Sequence, residues 1–106
     1  MEIRFFDKDL EVFISNLEEN TIAKLLRTID LLEQFGYKLA LPHSKKISNR
    51  LFELRIRGKI EVRIFYTFYA GGIVLLYGFI KKTQKSPKKY LLQAKKRISK
   101  LKFDIL

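Results

Sequence analysis

Three strand-like segments joined by two short turns constrain the fold of this chain more than any other feature. Residues 51–57 alternate between apolar and charged side chains, and residues 60–69 do the same after a turn at residues 58–59. Residues 73–82 follow a second turn at residues 70–72 and are apolar almost throughout. A period of two indicates strands, and turns this short join antiparallel neighbours. The pattern predicts an antiparallel meander whose last strand is covered on both faces.

Two apolar stripes predict a pair of helices before the meander. Large apolar residues recur at helical spacing over residues 10–17 and again over residues 22–32. Asp7 or Asp9 is the expected N-cap of the first helix, and Asn20 is the expected N-cap of the second. Because the connection between the stripes is short, the two helices are expected to form an antiparallel hairpin.

The remaining segments complete the predicted order of elements. Residues 1–6 are expected to form a short strand, and residues 37–50 a loop, because they contain Pro42 and many polar side chains. A serine–proline pair at residues 86–87 predicts the start of a C-terminal helix. The expected fold is α+β, an antiparallel sheet with an N-terminal helical hairpin and a C-terminal helix, in the order β-α-α-β-β-β-α. Residues 1–106 are expected to form a single domain, with helices on one face of the meander and charged side chains on the other.

Charge is distributed unevenly along the chain. The net charge is +11, and it divides into −4 over residues 1–36 and +15 over residues 37–106. Such an asymmetry predicts a polyanionic partner, most often nucleic acid, although an anionic membrane surface or an acidic protein would also fit. A basic surface that is merely solvated is the simpler alternative.

Several functional classes are disfavoured by composition. The chain has no cysteine and a single histidine, His43, so neither disulfides nor an ordinary zinc site is expected. Glycine-rich phosphate-binding motifs are also missing. The start of the chain lacks the pattern of a signal peptide, and no apolar run approaches the roughly 20 residues that span a bilayer. The expected location is therefore the cytoplasm, with no membrane partner.

Arginine, lysine and tyrosine side chains are the remaining candidates for chemistry. Such groups can promote RNA cleavage, because the ribose 2′-hydroxyl already supplies the nucleophile and the protein need only orient it and stabilise charge. Arg55 and Arg63 alternate onto one face of the meander. On that face they could bind phosphate. They could equally form a cross-strand ladder of ion pairs with Glu53 and Glu61.

Most of the chain, and residues 50–98 above all, resembles the RelE/ParE toxin superfamily, specifically its phage-derived, HigB-like branch. The segments that carry this resemblance are EQFG at 33–36, FELR at 52–55, RIFY at 63–66, LLYGF at 75–79 and KKTQKSP at 81–87, followed by a basic helix with an inward-facing Ala94.

The resemblance implies a toxin of a type II toxin–antitoxin pair. RelE-like and HigB-like toxins are metal-independent endoribonucleases that cut mRNA on the ribosome and use no cofactor. The implied partners are the ribosome with its mRNA and a HigA-like helix-turn-helix antitoxin, in a toxin–antitoxin hetero-oligomer. Relatives of the ParE type share the fold but inhibit DNA gyrase, and a non-enzymatic RNA-binding protein is a further alternative.

The resemblance also implies positions for the site. By position, Arg63 would stabilise the phosphorane and Arg55 would orient the phosphate. Lys82 and Lys85 would transfer protons or stabilise charge, and Tyr90 would stack on a base or donate a proton. The residues expected to bind nucleic acid are Lys45, Lys46, Arg57, Lys81, Lys88 and Lys89.

Two departures from the family pattern bear on these roles. Glu53 stands where some RelE toxins have a second lysine. Tyr90 lies several residues into the C-terminal helix region, so its match to the family's aromatic residue is loose. The division of acid and base roles among the site residues therefore stays open.

Overall fold

A computed structural model of the chain describes residues 1–84 and 87–104, with side chains as far as residue 101. Within these residues it contains five strands and three α-helices, which confirms the predicted α+β class. In chain order the elements are β1 (Ile3–Phe5), α1 (Lys8–Ser15), α2 (Glu19–Phe35), a 3₁₀ turn (Gly36–Lys38), β2 (Ser44–Ser48), β3 (Leu51–Ile56), β4 (Val62–Tyr69), β5 (Gly72–Ile80) and α3 (Lys88–Asp104).

The five strands form one sheet in the order β1-β5-β4-β3-β2. The pairs β2–β3, β3–β4 and β4–β5 are antiparallel, the last two as the turns predict, and β4 begins at Val62, two residues later than expected. Strand β1 is different, because it pairs in parallel with β5, with Ile3 opposite Ile73. The sheet is therefore mixed, and β1 and β2 form its two edges.

The prediction of a loop over residues 37–50 is wrong in its second half, because Ser44–Ser48 form the edge strand β2. Its backbone pairs with β3, and the Ser44 hydroxyl shares a buried hydrogen bond of 2.5 Å with the hydroxyl of Tyr66. Burial raises the pKa of Tyr66 above its ordinary value of 10.0, which keeps this hydroxyl protonated. An edge strand held by backbone pairing and one polar contact needs little apolar alternation.

Of the predicted helix N-caps, one is confirmed, one is wrong and one lies outside the described residues. Asp7 caps α1, since its Oδ1 accepts a hydrogen bond of 3.1 Å from the backbone N–H of Leu10. The predicted cap of α2 is wrong by two positions, because Glu18 is the N-cap and Asn20 already lies in the helix. Ser86, the predicted cap of α3, lies outside the described residues, and α3 begins one residue after Pro87.

Helices α1 and α2 cover one face of the sheet, which we call the hairpin face. Its core combines Leu10 and Ile14 of α1 and Leu25 and Leu32 of α2 with apolar strand residues, all nearly inaccessible to solvent. Gly78 of β5 allows α1 to approach closely, because a Cβ at this position would lie 2.8 Å from the Phe13 ring. Apolar burial therefore accounts for the packing of this face.

Helix α3 covers the opposite face, so the expectation that all helices share one face is wrong. Ala94 of α3 packs against a second core formed by apolar residues of β3, β4 and β5, including Phe65, Leu76 and Phe79. The contacts of α3 with the sheet are mainly to β5 and β4. We call this surface the α3 face, and it also contains the charged residues of β3 and β4.

Asp7 also connects the two layers of helices. Its Oδ2 lies 3.0 Å from Nη2 of Arg97 in α3. The Arg97 guanidinium also lies 5.0 Å from the ring centre of Phe6 and 5.2 Å from that of Tyr77, and it donates a hydrogen bond to the Leu76 carbonyl. One arginine therefore links α3 to the N-terminal segment and to β5.

Candidate functional site

The predicted site residues of the meander lie at one end of the sheet, where β3 and β5 end and β4 begins. The register places Arg55, Arg63 and Phe79 side by side on three adjacent strands. Since neighbouring strands are about 4.8 Å apart, this row extends over about 10 Å. It joins a group of charged side chains on β3 and β4 to a group of aromatic side chains on β5 and α3.

The charged group, here called the charged cluster, consists of Glu53, Arg55, Glu61 and Arg63. Arg63 makes two ion pairs, from Nη1 to Oε1 of Glu53 at 2.9 Å and from Nη2 to Oε2 of Glu61 at 3.0 Å. The same Glu53 oxygen accepts a hydrogen bond of 3.1 Å from Nε of Arg55. The ladder of ion pairs weighed as an alternative from the sequence is therefore present.

Burial differs sharply within the charged cluster. Arg63 and Glu53 are each only 2% exposed, whereas 39% of the Glu61 side chain is accessible. The Nε of Arg63 is buried without a hydrogen-bond partner among the described residues. In this arrangement the Arg63 guanidinium presents almost no surface to a ligand, and its catalytic assignment stays a prediction.

Glu61 forms the solvent-facing side of the charged cluster. Its hydrogen bond from Arg63 lowers the pKa of the Glu61 carboxyl below its ordinary value of 4.5, and the nearby charges of Arg57 and Lys81 act in the same direction. Because this carboxylate is partly solvated, its ion pair is the weaker and more easily opened of the two that hold Arg63.

An aromatic cleft of about 370 Å³ lies on the other side of Phe79, along the part of β5 that extends beyond β1. The Tyr90 ring packs at 4.5 Å from the Phe79 ring centre and at 5.4 Å from that of Tyr77. Phe13 of α1 and the exposed Lys82 complete the walls. A cleft with aromatic walls and a lysine at its rim can hold a flat ring beside a negative charge.

The lysines that follow β5 occupy different environments. Lys81 is half-buried, and its backbone N–H donates a hydrogen bond of 2.8 Å to the Glu61 carbonyl, so it borders the charged cluster. Lys82 lines the aromatic cleft, as described above. Lys85 lies outside the described residues, and its predicted role is not placed by this structure.

The residues predicted to bind nucleic acid do not share one surface. Lys45 lies opposite Glu53 and therefore on the α3 face, whereas Lys46 lies opposite Phe52, its amine 6.0 Å from the centre of that ring on the hairpin face. The other exposed residues of this set are Arg57 after β3 and Lys88 and Lys89 in the first turn of α3.

Sequence reasoning missed Tyr77 and Phe13 as cleft residues. A register shift opposite Phe65 and Tyr66 allows both Leu76 and Tyr77 to pack on the α3 side, which strict alternation would not predict. Phe13 was assigned to the helical core, and it does pack there at its edge. No sequence signal marks the bulge, because all residues around it are apolar or aromatic.

Two features are absent from the described part of the chain. No three histidine, aspartate or glutamate side chains come together there in a group that could hold a metal ion. None of the helices in that part is both long and apolar enough to cross a bilayer.

The sequence profile described as phage-derived protein Gp49-like matches residues 12–99, which include both the charged cluster and the aromatic cleft. This family lies within the RelE/HigB-like toxin superfamily. A search of curated protein sequences gave no significant match.

Proposed function

Because the chain belongs to the phage-derived Gp49-like family, which is toxin-like, we propose that it is the toxin of a type II toxin–antitoxin pair and that it cleaves ribosome-bound mRNA in the cytoplasm. The observation that carries the proposal is the row Arg55–Arg63–Phe79, in which the two arginines of the charged cluster adjoin a cleft with aromatic walls. This arrangement matches one nucleotide, with the phosphate beside the arginines and the base in the aromatic cleft.

The reaction needs no nucleophile from the protein. The ribose 2′-oxygen attacks the adjacent phosphorus, its proton passes to a base, and the bond to the 5′-oxygen breaks as that oxygen gains a proton. The products are a 2′,3′-cyclic phosphate and a 5′-hydroxyl. The protein contributes by holding the groups in line and by stabilising the charge on the phosphorane.

Side-chain exposure supports different roles for the two arginines. Arg55, whose side chain is 15% exposed, is the arginine of the pair that can meet a phosphate without rearrangement. Direct contact of Arg63 with the phosphorane requires its Nη2 to leave the solvated carboxylate of Glu61. Arg63 would then exchange one anion for another while Glu53 continues to hold Nη1.

The proposed roles at the aromatic cleft follow from its geometry. Tyr90 stacks on a base that is turned out of the mRNA, since its ring already packs with two aromatic neighbours. Lys82, exposed at the rim, stabilises charge or transfers a proton. Substitution separates the two possible roles of Tyr90, because Tyr90→Phe keeps stacking and removes the hydroxyl proton.

The decisive experiment measures cleavage of mRNA on purified ribosomes by the wild type and by Arg63→Ala and Arg63→Lys. We expect Arg63→Ala to lose about 10²–10³ in rate, and Arg63→Lys to recover little, because an ammonium cannot make the bidentate contact. Because ribosomes themselves need Mg²⁺, the toxin alone is treated with EDTA and the chelator is removed before the assay, and this treatment should leave the wild-type rate unchanged. The matched control is Lys95→Ala, a charge removed from an exposed position of α3.

Folding must be checked by circular dichroism, because Arg63→Ala leaves Glu53 buried without this partner. A folded Arg63→Ala protein that cuts at the wild-type rate would remove Arg63 from the mechanism and leave it a purely structural role. If cells that express the chain stop growing with intact mRNA and inhibited gyrase, the ParE-like alternative replaces the nuclease.

The proposed partner is a helix-turn-helix antitoxin that neutralises the toxin in a hetero-oligomer. The net charge of +15 on residues 37–106 should attract an acidic segment of this partner, so association should be fast at low salt and slow at high salt. An association rate that does not change with salt would contradict this mode of recognition.

A further inference from the structure

A basic groove lies on the side of the molecule away from the aromatic cleft, between α2 and the end of β3. It consists of two adjoining clefts of about 310 Å³ and 290 Å³, which share Lys24, Arg27 and Ile56. The basic residues that line this α2–β3 groove are Lys24, Arg27, His43, Arg55, Arg57 and Lys59.

Few acidic residues line the groove. No acidic residue lines the larger cleft, and Glu18 is the acidic residue of the smaller one. Within the described part of the chain, Lys24 and Arg27 take part in no salt bridge. Arg55 is paired with Glu53, and Arg57 lies close enough to Glu61 for its charge to lower the pKa of that carboxyl. Cations that face one cavity without acidic partners repel one another, and a bound anion would relieve that repulsion.

Tertiary folding produces this concentration of charge. Residues 1–36 carry a net charge of −4 and only four basic residues, two of which, Lys24 and Arg27, lie in the groove. These two are three residues apart on α2 and therefore project from the same side of the helix. The sheet then places them beside Arg55 and Arg57 of the basic second half.

The turn after β3 accommodates Lys24. A Cβ at Gly58 would lie 2.7 Å from the Lys24 amine and 3.4 Å from its Cδ, so the lysine lies directly over the glycine. Because Gly58 has no side chain, the amine stays at the floor of the smaller cleft, where it can reach a ligand that enters the groove.

We propose that the α2–β3 groove binds the phosphodiester backbone of an RNA strand, as a second contact surface outside the cleavage site. Arg55 lines the groove and also belongs to the charged cluster, so the two surfaces are continuous. Arginine and lysine side chains that follow one another along a groove suit a repeating phosphate ligand. The choice of RNA as the polyanion rests on the proposed function.

The larger cleft of the groove also contains apolar side chains, including Leu31, Pro42 and Ile56. An acidic amphipathic protein segment is therefore the competing occupant, because its apolar face would find these residues. Continuity of the groove with the proposed cleavage site through Arg55 favours RNA, and a peptide arm of the test separates the two occupants.

The test measures binding of a single-stranded RNA oligonucleotide that is fully 2′-O-methylated. This probe cannot be cut, because it lacks the nucleophile, so binding is separated from catalysis. Affinity is measured by fluorescence anisotropy over a range of salt concentrations for the wild type, for Lys24→Gln with Arg27→Gln, and for Lys95→Gln with Lys96→Gln. The last pair removes the same charge from exposed positions of α3.

We expect the groove variant to bind more weakly and the slope of log K against log salt to become shallower by about 1.4, because each phosphate contact to a single strand contributes about 0.7. The α3 variant should keep the wild-type slope. Equal slopes for all three proteins, or equal losses in the two variants, would overturn the proposal. Circular dichroism checks that both variants are folded.

A parallel arm uses a polyglutamate peptide. If the groove variant loses peptide binding and keeps its affinity for RNA, the groove receives an acidic protein and the RNA assignment is wrong. The cleavage assay on ribosomes is independent of these measurements. If the protein binds the methylated RNA through the groove but cuts no mRNA, the groove proposal is supported and the nuclease proposal is refuted. If the protein cuts mRNA but the groove variant binds the methylated RNA as the wild type does, the nuclease proposal is supported and the groove proposal is refuted.

Discussion

The two faces of the sheet contain alternating residues of the same strands, yet they are stabilised by different interactions. The hairpin face is closed by α1 and α2 over a continuous apolar core. The α3 face combines an apolar core packed against α3 with a buried ion pair between Glu53 and Arg63. A sheet with two helical layers can therefore leave part of one face to ion pairs, and this part contains the candidate site.

The difference shows how the site can be both rigid and charged. On the hairpin face, burial of apolar area provides stability without constraining individual atoms. In the charged cluster, the positions of Arg55 and Arg63 are fixed by shared contacts to one Glu53 oxygen. Charge-assisted hydrogen bonds of this kind fix geometry better than apolar contacts do, at the expense of desolvating both groups.

Removing Glu53 should have the largest effect on stability. Glu53→Ala leaves the Arg63 guanidinium buried without its main anion, and losing one member of a buried pair costs about 3–5 kcal/mol. Urea denaturation measures the free energy of unfolding. Glu61→Ala is the matched control, because its carboxylate is partly solvated, and it should cost about 0–1 kcal/mol. Equal losses in the two variants would mean that the buried ion pair does not support the α3 face.

A core substitution tests, by the same measurement of the free energy of unfolding, how much the packing of the hairpin face contributes to stability. Leu25→Ala removes a side chain that is 0% exposed in α2 and should cost about 2–5 kcal/mol, including the cavity that it leaves. Leu26→Ala, at the next position and 52% exposed, should change stability by less than about 0.5 kcal/mol. If Leu25→Ala proves as mild as its neighbour, the hairpin face is not closed as described.

Removing the Asp7 contacts that link the two helical layers should have an intermediate effect on stability. Asp7→Ala removes the N-cap of α1 together with the ion pair to Arg97 and should cost about 1–2 kcal/mol. Asp9, in the first turn of the same helix, makes neither contact, so Asp9→Ala should cost less. Thermal unfolding of both variants measures these losses of stability. A larger loss of stability for Asp9→Ala than for Asp7→Ala would contradict the role given to Asp7.

The smallest expected effect is on the pH dependence of stability. The folded protein holds the pKa of Glu61 below its ordinary value of 4.5, so the unfolded chain binds this proton first as pH falls. The contribution of Glu61 is therefore complete above pH 4.5 and is lost as pH drops through the folded pKa. Glu61→Gln should flatten this part of the stability profile by about 0–1 kcal/mol. Wild-type and variant profiles that coincide below that pH would contradict the assignment.

Periodicity was sufficient to predict most of the architecture. The meander, both N-terminal helices and the C-terminal helix follow from spacing and turn residues alone. Strand β2 was missed because Ser44–Ser48 has no run of alternating apolar residues, and its pairing depends on β3 being in place. Edge strands of this kind are specified by tertiary structure more than by their own sequence.

The candidate site was predictable in composition but not in exposure. Alternation correctly placed Arg55 and Arg63 on one face with Glu53. It could not show that Arg63 is buried while the side chain of Glu61, two residues earlier, remains accessible. The α2–β3 groove was invisible for another reason, because Lys24 and Arg27 lie in the acidic part of the sequence and meet the other cations only after folding.

The parallel pairing of β1 with β5 has a consequence for the order of events during synthesis. Residues 3–5 are synthesised some 70 residues before their partners at residues 73–75. The N-terminal edge of the sheet therefore has to wait for the last strand, and such long-range contacts form slowly. A nascent chain therefore cannot complete its sheet until the whole meander has been translated.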